Sequence, residues 1–260
     1  MNPARSSMQI MLDVVHALFM RELRTRFGAN RLGYFWAIAE PALQAGIMVV
    51  VFSAMGRHSL SGVPVALFML TGIMPYKLFS KLLTHLGAAV KANRGLISYR
   101  QVTPIDPIVT RLIIEFTTVI IIYVLLLAVM GWLGLSVIPD NFLKLLMAML
   151  LLMFVAVGLG IMLCVAQLYW EDTGKIVSIV TTPLMIASGV FYSATMIPEQ
   201  YWHFFTWNPI FHAIELSRDA FFPSYTTPVG SWFYLGACAL ISMTVALMIY
   251  RVNRQRFMES

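Results

Sequence analysis

Apolar residues in this chain come in long unbroken runs separated by short polar or basic stretches, and only the N-terminal part shows a two-faced pattern. There, Met8, Met11, Leu12, Val15, Leu18, Phe19 and Leu23 recur at helical spacing, with Gln9, Asp13, His16 and Arg24 mostly opposite. This predicts an amphipathic helix that lies in a membrane interface or packs on the protein's own spans. The later runs reach the roughly 20 residues needed to cross hydrocarbon. They predict crossings at 35–55, 64–86, 108–135, 143–169, 176–194 and 230–250. The expected fold is an all-α polytopic membrane protein of about six transmembrane helices, with an N-terminal arm at 1–33 and a transmembrane domain at 34–260.

Details within the runs refine this picture. Pro75 and Pro183 fall inside expected spans, where neighbouring helices can satisfy the freed backbone. Ala156, Gly158 and Gly160 give the fourth span a surface suited to close helix approach in lipid. Residues 56–63 and 136–142 read as outer loops, 89–106 as a cytosolic connector with a short helix over 93–102, and 170–175 as a tight inner turn. The stretch 195–229 is too long for a turn and too aromatic for a solvated loop. Pro198, Pro209 and Pro223 divide it into short helical pieces, which predicts a re-entrant helical hairpin between spans five and six, with Asn208 as a helix cap beside Pro209.

Composition narrows the function. The chain has 260 residues, 59% hydrophobic and only 12% charged, which leaves no polar stretch large enough for a separate soluble core. The net charge of +6 comes from clusters flanking the apolar runs, so membrane topology and lipid contact explain it better than nucleic acid. Arg21, Arg24, Arg26, Lys91, Arg94, Arg100, Lys175, Arg251, Arg254 and Arg256 lie on flanks that the positive-inside rule assigns to the cytosol. Both termini are therefore expected there. Cys164 and Cys238 lack metal-ligand spacing, and no metal site is expected.

No nucleotide-binding loop, zinc-protease signature or nucleophile constellation is present, so the chain supplies no catalytic residue and no cofactor site of its own. Glu40, Arg111 and Glu115 sit near span ends rather than at mid-span, which argues against a proton relay. Arg24-Thr25-Arg26-Phe27, then Leu32-Gly33-Tyr34-Phe35-Trp36 and Pro41, with the late run from Trp207-Asn208-Pro209 through His212 and Glu215 to Arg218, resemble the permease subunit of type 2 ATP-binding-cassette exporters. The likeness is strongest to capsular polysaccharide export permeases and covers nearly the whole chain. Glu171-Asp172 departs from the Arg-Asp common among them.

That resemblance implies a homodimer in a bacterial inner membrane, two separate ATPase subunits that hold ATP and magnesium, and a lipid-linked polysaccharide as substrate. Periplasmic or outer-membrane export proteins are further implied partners. Coupling to the ATPase falls to Arg24, Arg26, Asn93, Arg94, Leu96, Ile97, Tyr99 and Arg100. Tyr34, Phe35, Trp36, Tyr169, Trp170, Tyr192, Trp202 and Trp207 are candidates for a sugar-stacking pathway or for an interfacial aromatic belt. Lys77 and Lys81 share a helix face with His85, and either receive an anionic lipid-linked head or snorkel to the interface. Asn208, Pro209, His212, Glu215 and Arg218 belong to the re-entrant segment, where Glu215 with Arg218 or Asp219 is expected to form a structural polar network. Export of another glycolipid, an O-antigen-type polymer or a small drug is the alternative within the class. A membrane enzyme using His203, His212 and Glu215 is an alternative outside it, and a passive scaffold is a third reading.

Overall fold

The computed structural model describes residues 7–28, 33–97, 99 and 101–259. The helices are α1 (Ser7–Gly28), α2 (Gly33–Ala54), α3 (Val65–Gly87), α4 (Ala89–Ala92), α5 (Arg94–Ile97), α6 (Ile105–Trp132), α7 (Phe142–Tyr169), α8 (Thr173–Ala187), α9 (Pro209–Phe221) and α10 (Trp232–Glu259). Five of them, α2, α3, α6, α7 and α10, are long and apolar enough to cross a membrane. The protein is thus an all-α polytopic membrane protein.

Helices α3 and α7 form the centre of the bundle, and α2 and α10 are its least covered spans. The small residues of α7 serve two neighbours. A Cβ on Gly160 would lie 2.9 Å from Leu86 Cβ of α3, and one on Gly158 would lie 2.6 Å from the Ser242 backbone of α10. Close backbone approach here replaces the hydrophobic driving force that lipid cannot supply.

Helix α1 packs on the bundle through Val15, Leu18 and Glu22, all buried, while Leu12 and Met20 stay exposed. The helix therefore packs on the protein's own spans through one stripe and leaves apolar residues exposed on another. Glu22 Oε1 accepts from Arg111 Nε of α6 at 3.0 Å, and Arg111 Nη1 reaches the His85 carbonyl of α3 at 2.7 Å. His85 in turn lies 3.4 Å from Glu115. Arg21 donates to Asn93 Oδ1 in the turn between α4 and α5. These helices and the α7–α8 turn share one end of the bundle, where Lys91 meets Glu171 at 3.6 Å.

The opposite end departs from the sequence expectation in two places. Residues 56–63 are not a plain loop: Ser59–Leu60 (β1) pairs antiparallel with Val63–Pro64 (β2). The two residues between them, Ser61 at φ 50° and Gly62 at φ 79°, both adopt positive φ, as a type I′ hairpin turn requires. The fifth expected crossing, 176–194, stops being helical at Ala187. At 15 residues α8 is about 22 Å long, short of the roughly 30 Å core. Gly189, at φ 72°, breaks the helix, and a Cβ there would lie 2.8 Å from the Phe211 ring.

The unwound residues after Gly189 need partners for their backbone, and Arg218 of α9 supplies them. Its Nη1 donates to Tyr192 O at 2.7 Å and its Nη2 to Val190 O at 2.8 Å, with the side chain fully buried. Its guanidinium stacks 3.9 Å from the Phe68 ring centroid. Glu215, equally buried, neutralises it at 3.3 Å. The remaining Glu215 valences accept from Ala194 N at 3.3 Å, Tyr225 OH at 2.5 Å and Thr227 Oγ1 at 3.0 Å. The expected network is therefore Glu215 with Arg218, and Asp219 instead accepts from Thr227 N at 3.1 Å.

The re-entrant segment descends as two 3-10 turns, Ala194–Met196 and Glu199–Phe204, and returns as α9. Asn208 caps α9 by accepting from Ile210 N at 3.0 Å, with Pro209 in its first turn, and donates to Ser188 Oγ at 2.9 Å. The far end of α9 is fixed where Asn141 N and Asp140 N donate to Ala220 O and Phe221 O.

Removing one member of a buried ion pair leaves the other charge uncompensated, at a cost of about 3–5 kcal/mol. Arg218→Met should therefore lower the thermal unfolding midpoint in detergent far more than Lys144→Met, a surface control. Gly72→Ala should do the same, because its Cβ would lie 2.5 Å from Val190 O and 2.7 Å from Arg218 Nη2. Differential scanning of the purified variants reads both.

Candidate functional site

Along α3, Lys77, Lys81 and His85 follow one another at intervals of four residues, so all three project from one stripe near the basic end of the helix. They face a groove of about 390 Å³ walled by Glu40 and Gln44 of α2 and by Thr181, Thr182 and Met185 of α8. A second cleft of about 290 Å³ on the α6 side shares Glu40, Lys77, Lys81 and His85, and adds Glu115 and Thr118. Volumes of this size suit a small-molecule head group.

The charges in the groove are not equivalent. Lys77 Nζ is committed to Glu40 Oε1 at 2.7 Å. His85 is tied to Glu115. Lys81 makes no ion pair within 4 Å among the described residues, though it shares the field of Glu40 with Lys77, and it lines both clefts. Around this level the hydroxyls of Ser178, Thr181 and Thr84 turn back onto the carbonyls of Lys175, Ser178 and Ser80. Tyr76 OH donates to Thr181 O, which ties α8 to α3.

The aromatic candidates do not converge on this groove. Phe35 and Trp36 are exposed on α2 and meet edge to face at 5.7 Å. Tyr169 and Trp170 lie at the end of α7, where Tyr169 OH donates to Asn253 and its ring carries Arg256 at 4.6 Å. Tyr192 packs against Phe205 at 5.8 Å at the opposite end of the bundle. Trp202 Nε1 donates to Ala194 O and Ile197 O, which makes it a clamp on the 3-10 turns. Trp207 is exposed, with its Nε1 on Phe204 O at 2.6 Å. Of the expected pathway residues whose side chains are described, only Lys77 and Lys81 line this groove. The side chains of Tyr34 and Arg26, and Arg100 altogether, lie outside what is described.

The coupling candidates divide in a similar way. Arg24, Arg94 and Tyr99 are exposed and form a surface at the basic end, with Leu96 half-buried. Asn93 and Ile97 are buried, and Asn93 Nδ2 donates to Ala89 O at 2.8 Å. Asn93 thus anchors the surface from within.

The candidate enzymatic side chains of the re-entrant segment are engaged in structural contacts. His212 Nδ1 accepts from Ser231 N at 3.1 Å, so its proton sits on Nε2 and is donated to Thr206 O at 2.7 Å. Glu215 is saturated by the donors that surround it, and the His203 ring lies 3.9 Å from that of Phe204. Neither imidazole is oriented by a carboxylate toward a nucleophile.

Sequence reasoning passed over Gln44, Thr182 and the Glu22–Arg111 pair as site residues. Arg111 and Glu115, four apart inside an apolar run, were the available signal, since ionisable groups in a span demand partners. Their partners lie 89 and 30 positions away in the chain and could not be matched from spacing.

The family described as ABC-2 type transporter matches residues 13–222. The chain is 34% identical to the polysialic acid transport protein KpsM of Escherichia coli over 257 residues, covering 99% of this chain and 100% of that protein. It is 30% identical over 246 residues to the capsule polysaccharide export inner-membrane protein CtrC of Neisseria meningitidis serogroup A, with 94% and 92% covered. It is 23% identical over 261 residues to the O-antigen export system permease protein RfbA of Klebsiella pneumoniae, with 96% and 95% covered. With an end-to-end match to export permeases and a helical membrane fold, this chain belongs to the ABC-2 type transporter family as a permease.

Proposed function

We propose that this permease moves a lipid-linked, acidic capsular polysaccharide from the cytosolic to the outer face of a bacterial inner membrane. The observation that carries this reading is the groove beside Lys81, whose cation lies in the field of Glu40 but makes no ion pair within 4 Å among the described residues. A charged group at lipid depth is costly unless something pairs with it. An anionic lipid head entering between α2, α3 and α8 would supply that pair, and the relatives that handle polysialic acid and capsule polysaccharide support an acidic polymer. A lipid-linked polymer of the O-antigen type is the second reading, favoured by the relative in that system.

Energy comes from a separate ATPase, because the chain holds no nucleotide loop. Two such subunits with ATP and magnesium would dock on Arg24, Arg94 and Tyr99 at the basic end, which the charge asymmetry assigns to the cytosol along with both termini. A second copy of the chain would complete the pathway. Helix α8 has no buried residue, and α2 exposes Leu43, Ile47, Val50 and Val51, so these faces are available to it. Partners beyond the membrane would meet the hairpin and re-entrant end.

In a strain lacking the native gene, Lys81→Ala should cut surface polysaccharide about tenfold or more, the scale of one lost charge-assisted contact, while Lys81→Arg retains most of it. Surface polymer at wild-type level with Lys81→Ala, at equal protein abundance, would remove the reading. A second test concerns coupling. Asn93→Ala frees the α4–α5 surface from Arg21, and should leave ATPase binding in a pull-down intact while lowering export several-fold.

A further inference from the structure

The groove is basic at one end only. Moving along α3 away from His85, the lining passes Lys81, then the Lys77–Glu40 pair whose charges cancel, and then Tyr76 and Ile73. Opposite this last level stand Gln44 of α2 and Thr182 and Met185 of α8. Gln44 is one helical turn beyond Glu40, so it occupies the neutral part of the groove.

Gln44 is poorly served by the protein. Its Oε1 is buried and has no hydrogen-bond partner, and its Nε2 faces only the Met185 sulfur at 3.9 Å, a weak acceptor. The hydroxyl of the exposed Thr182 makes no hydrogen bond among the described residues and is open to a ligand, whereas the neighbouring hydroxyls of Ser178 and Thr181 turn back onto their own helix. An amide left unpaired in an apolar surrounding carries its full desolvation cost, so a ligand that satisfies it is favoured by the same amount.

The missing partner has a defined chemistry. It must donate to Gln44 Oε1 and accept from Gln44 Nε2. An acyl chain does neither. A phosphodiester or carboxylate only accepts, so it cannot serve Gln44 Oε1. Adjacent sugar hydroxyls do both at once.

We infer that Gln44 and Thr182 form a neutral, hydroxyl-reading subsite for the sugar ring that adjoins the anionic group held at Lys81. This rests on the proposed role of the groove and adds a second contact to it. The anion fixes where the head group sits, and Gln44 with Thr182 reports whether a sugar follows it. A lipid that carries charge but no sugar would occupy only the first part.

The test uses the full chain in lipid nanodiscs and two probes: a diacyl phosphodiester bearing a neutral disaccharide, and the same phosphodiester capped by a methyl group. Gln44→Leu and Thr182→Val should each raise the Kd of the sugar probe about 2- to 10-fold, the scale of one neutral hydrogen bond, and leave the methyl-capped probe unchanged. Unchanged binding of the capped probe also shows that the variants are folded. Lys81→Ala should weaken both probes. If Gln44→Leu and Thr182→Val shift both probes equally, or neither, while Lys81→Ala weakens both, the subsite is overturned and the groove reading stands. If Lys81→Ala weakens neither, the groove reading falls as well.

Discussion

An unwound stretch of backbone at membrane depth is tolerated only if something takes up its carbonyls, and in this protein Arg218 does so. Two of its guanidinium donors hold Val190 and Tyr192, the residues just past the break at Gly189. The charge that comes with those donors requires Glu215, and the spare valences of Glu215 recruit Tyr225, Thr227 and the Ala194 amide. The ion pair itself need not be net stabilising, since desolvating two charges offsets much of their attraction. Its consequence is geometric. The end of α8, the start of the re-entrant segment and the link into α10 are tied to one side chain, and Phe68 and Gly72 of α3 are shaped to receive it.

The same helix α3 is divided by function near Pro75. Before it, from Leu67 to Met74, every residue is buried, and only Ile73 and Met74 at its end reach the clefts. After it, Lys77, Ser80, Lys81, Thr84 and His85 form a polar stripe that lines the groove, while Leu78, Phe79, Leu82 and Leu86 keep the opposite face in the core. A single span can thus hold the re-entrant pin at one end and an anion-accepting wall at the other, because its amphipathicity begins only in its last three turns.

Much of this was legible in the sequence. Most span positions follow from run length, the cap at Asn208 from Asn-Pro before an apolar helix, and a polar network of Glu215 with Arg218 or Asp219 from charges that need partners in a buried segment, the choice between the two being left to the structure. The break after Ala187 was not legible, because residues 188–194 are small or apolar and read as more helix; the signal for unwinding sits 28 positions later, in Arg218. The aromatic residues left the choice between a pathway and an interfacial belt open for a related reason. Trp and Tyr cluster at both interfaces whatever they contact, so their count carried no information about convergence. The Ser61-Gly62 hairpin turn was a local signal passed over among longer apolar runs.

The inner network bears on how motion at the basic end would reach the groove. Arg111 is held at once by Glu22 of α1 and by the His85 carbonyl near the end of α3, and His85 also lines the groove. Helix α1 is further joined to the α4–α5 turn through Arg21 and Asn93. Packed elements shift as units rather than deform, so a displacement of that turn would carry α1, α6 and the final turn of α3 together. Helix α8, with no buried residue and a glycine break at its far end, is not part of that unit. The groove lies between the two, walled by α3 on one side and α8 on the other. Movement of the braced body relative to α8, which is joined to α3 through Tyr76 and Thr181, would change the width of this groove.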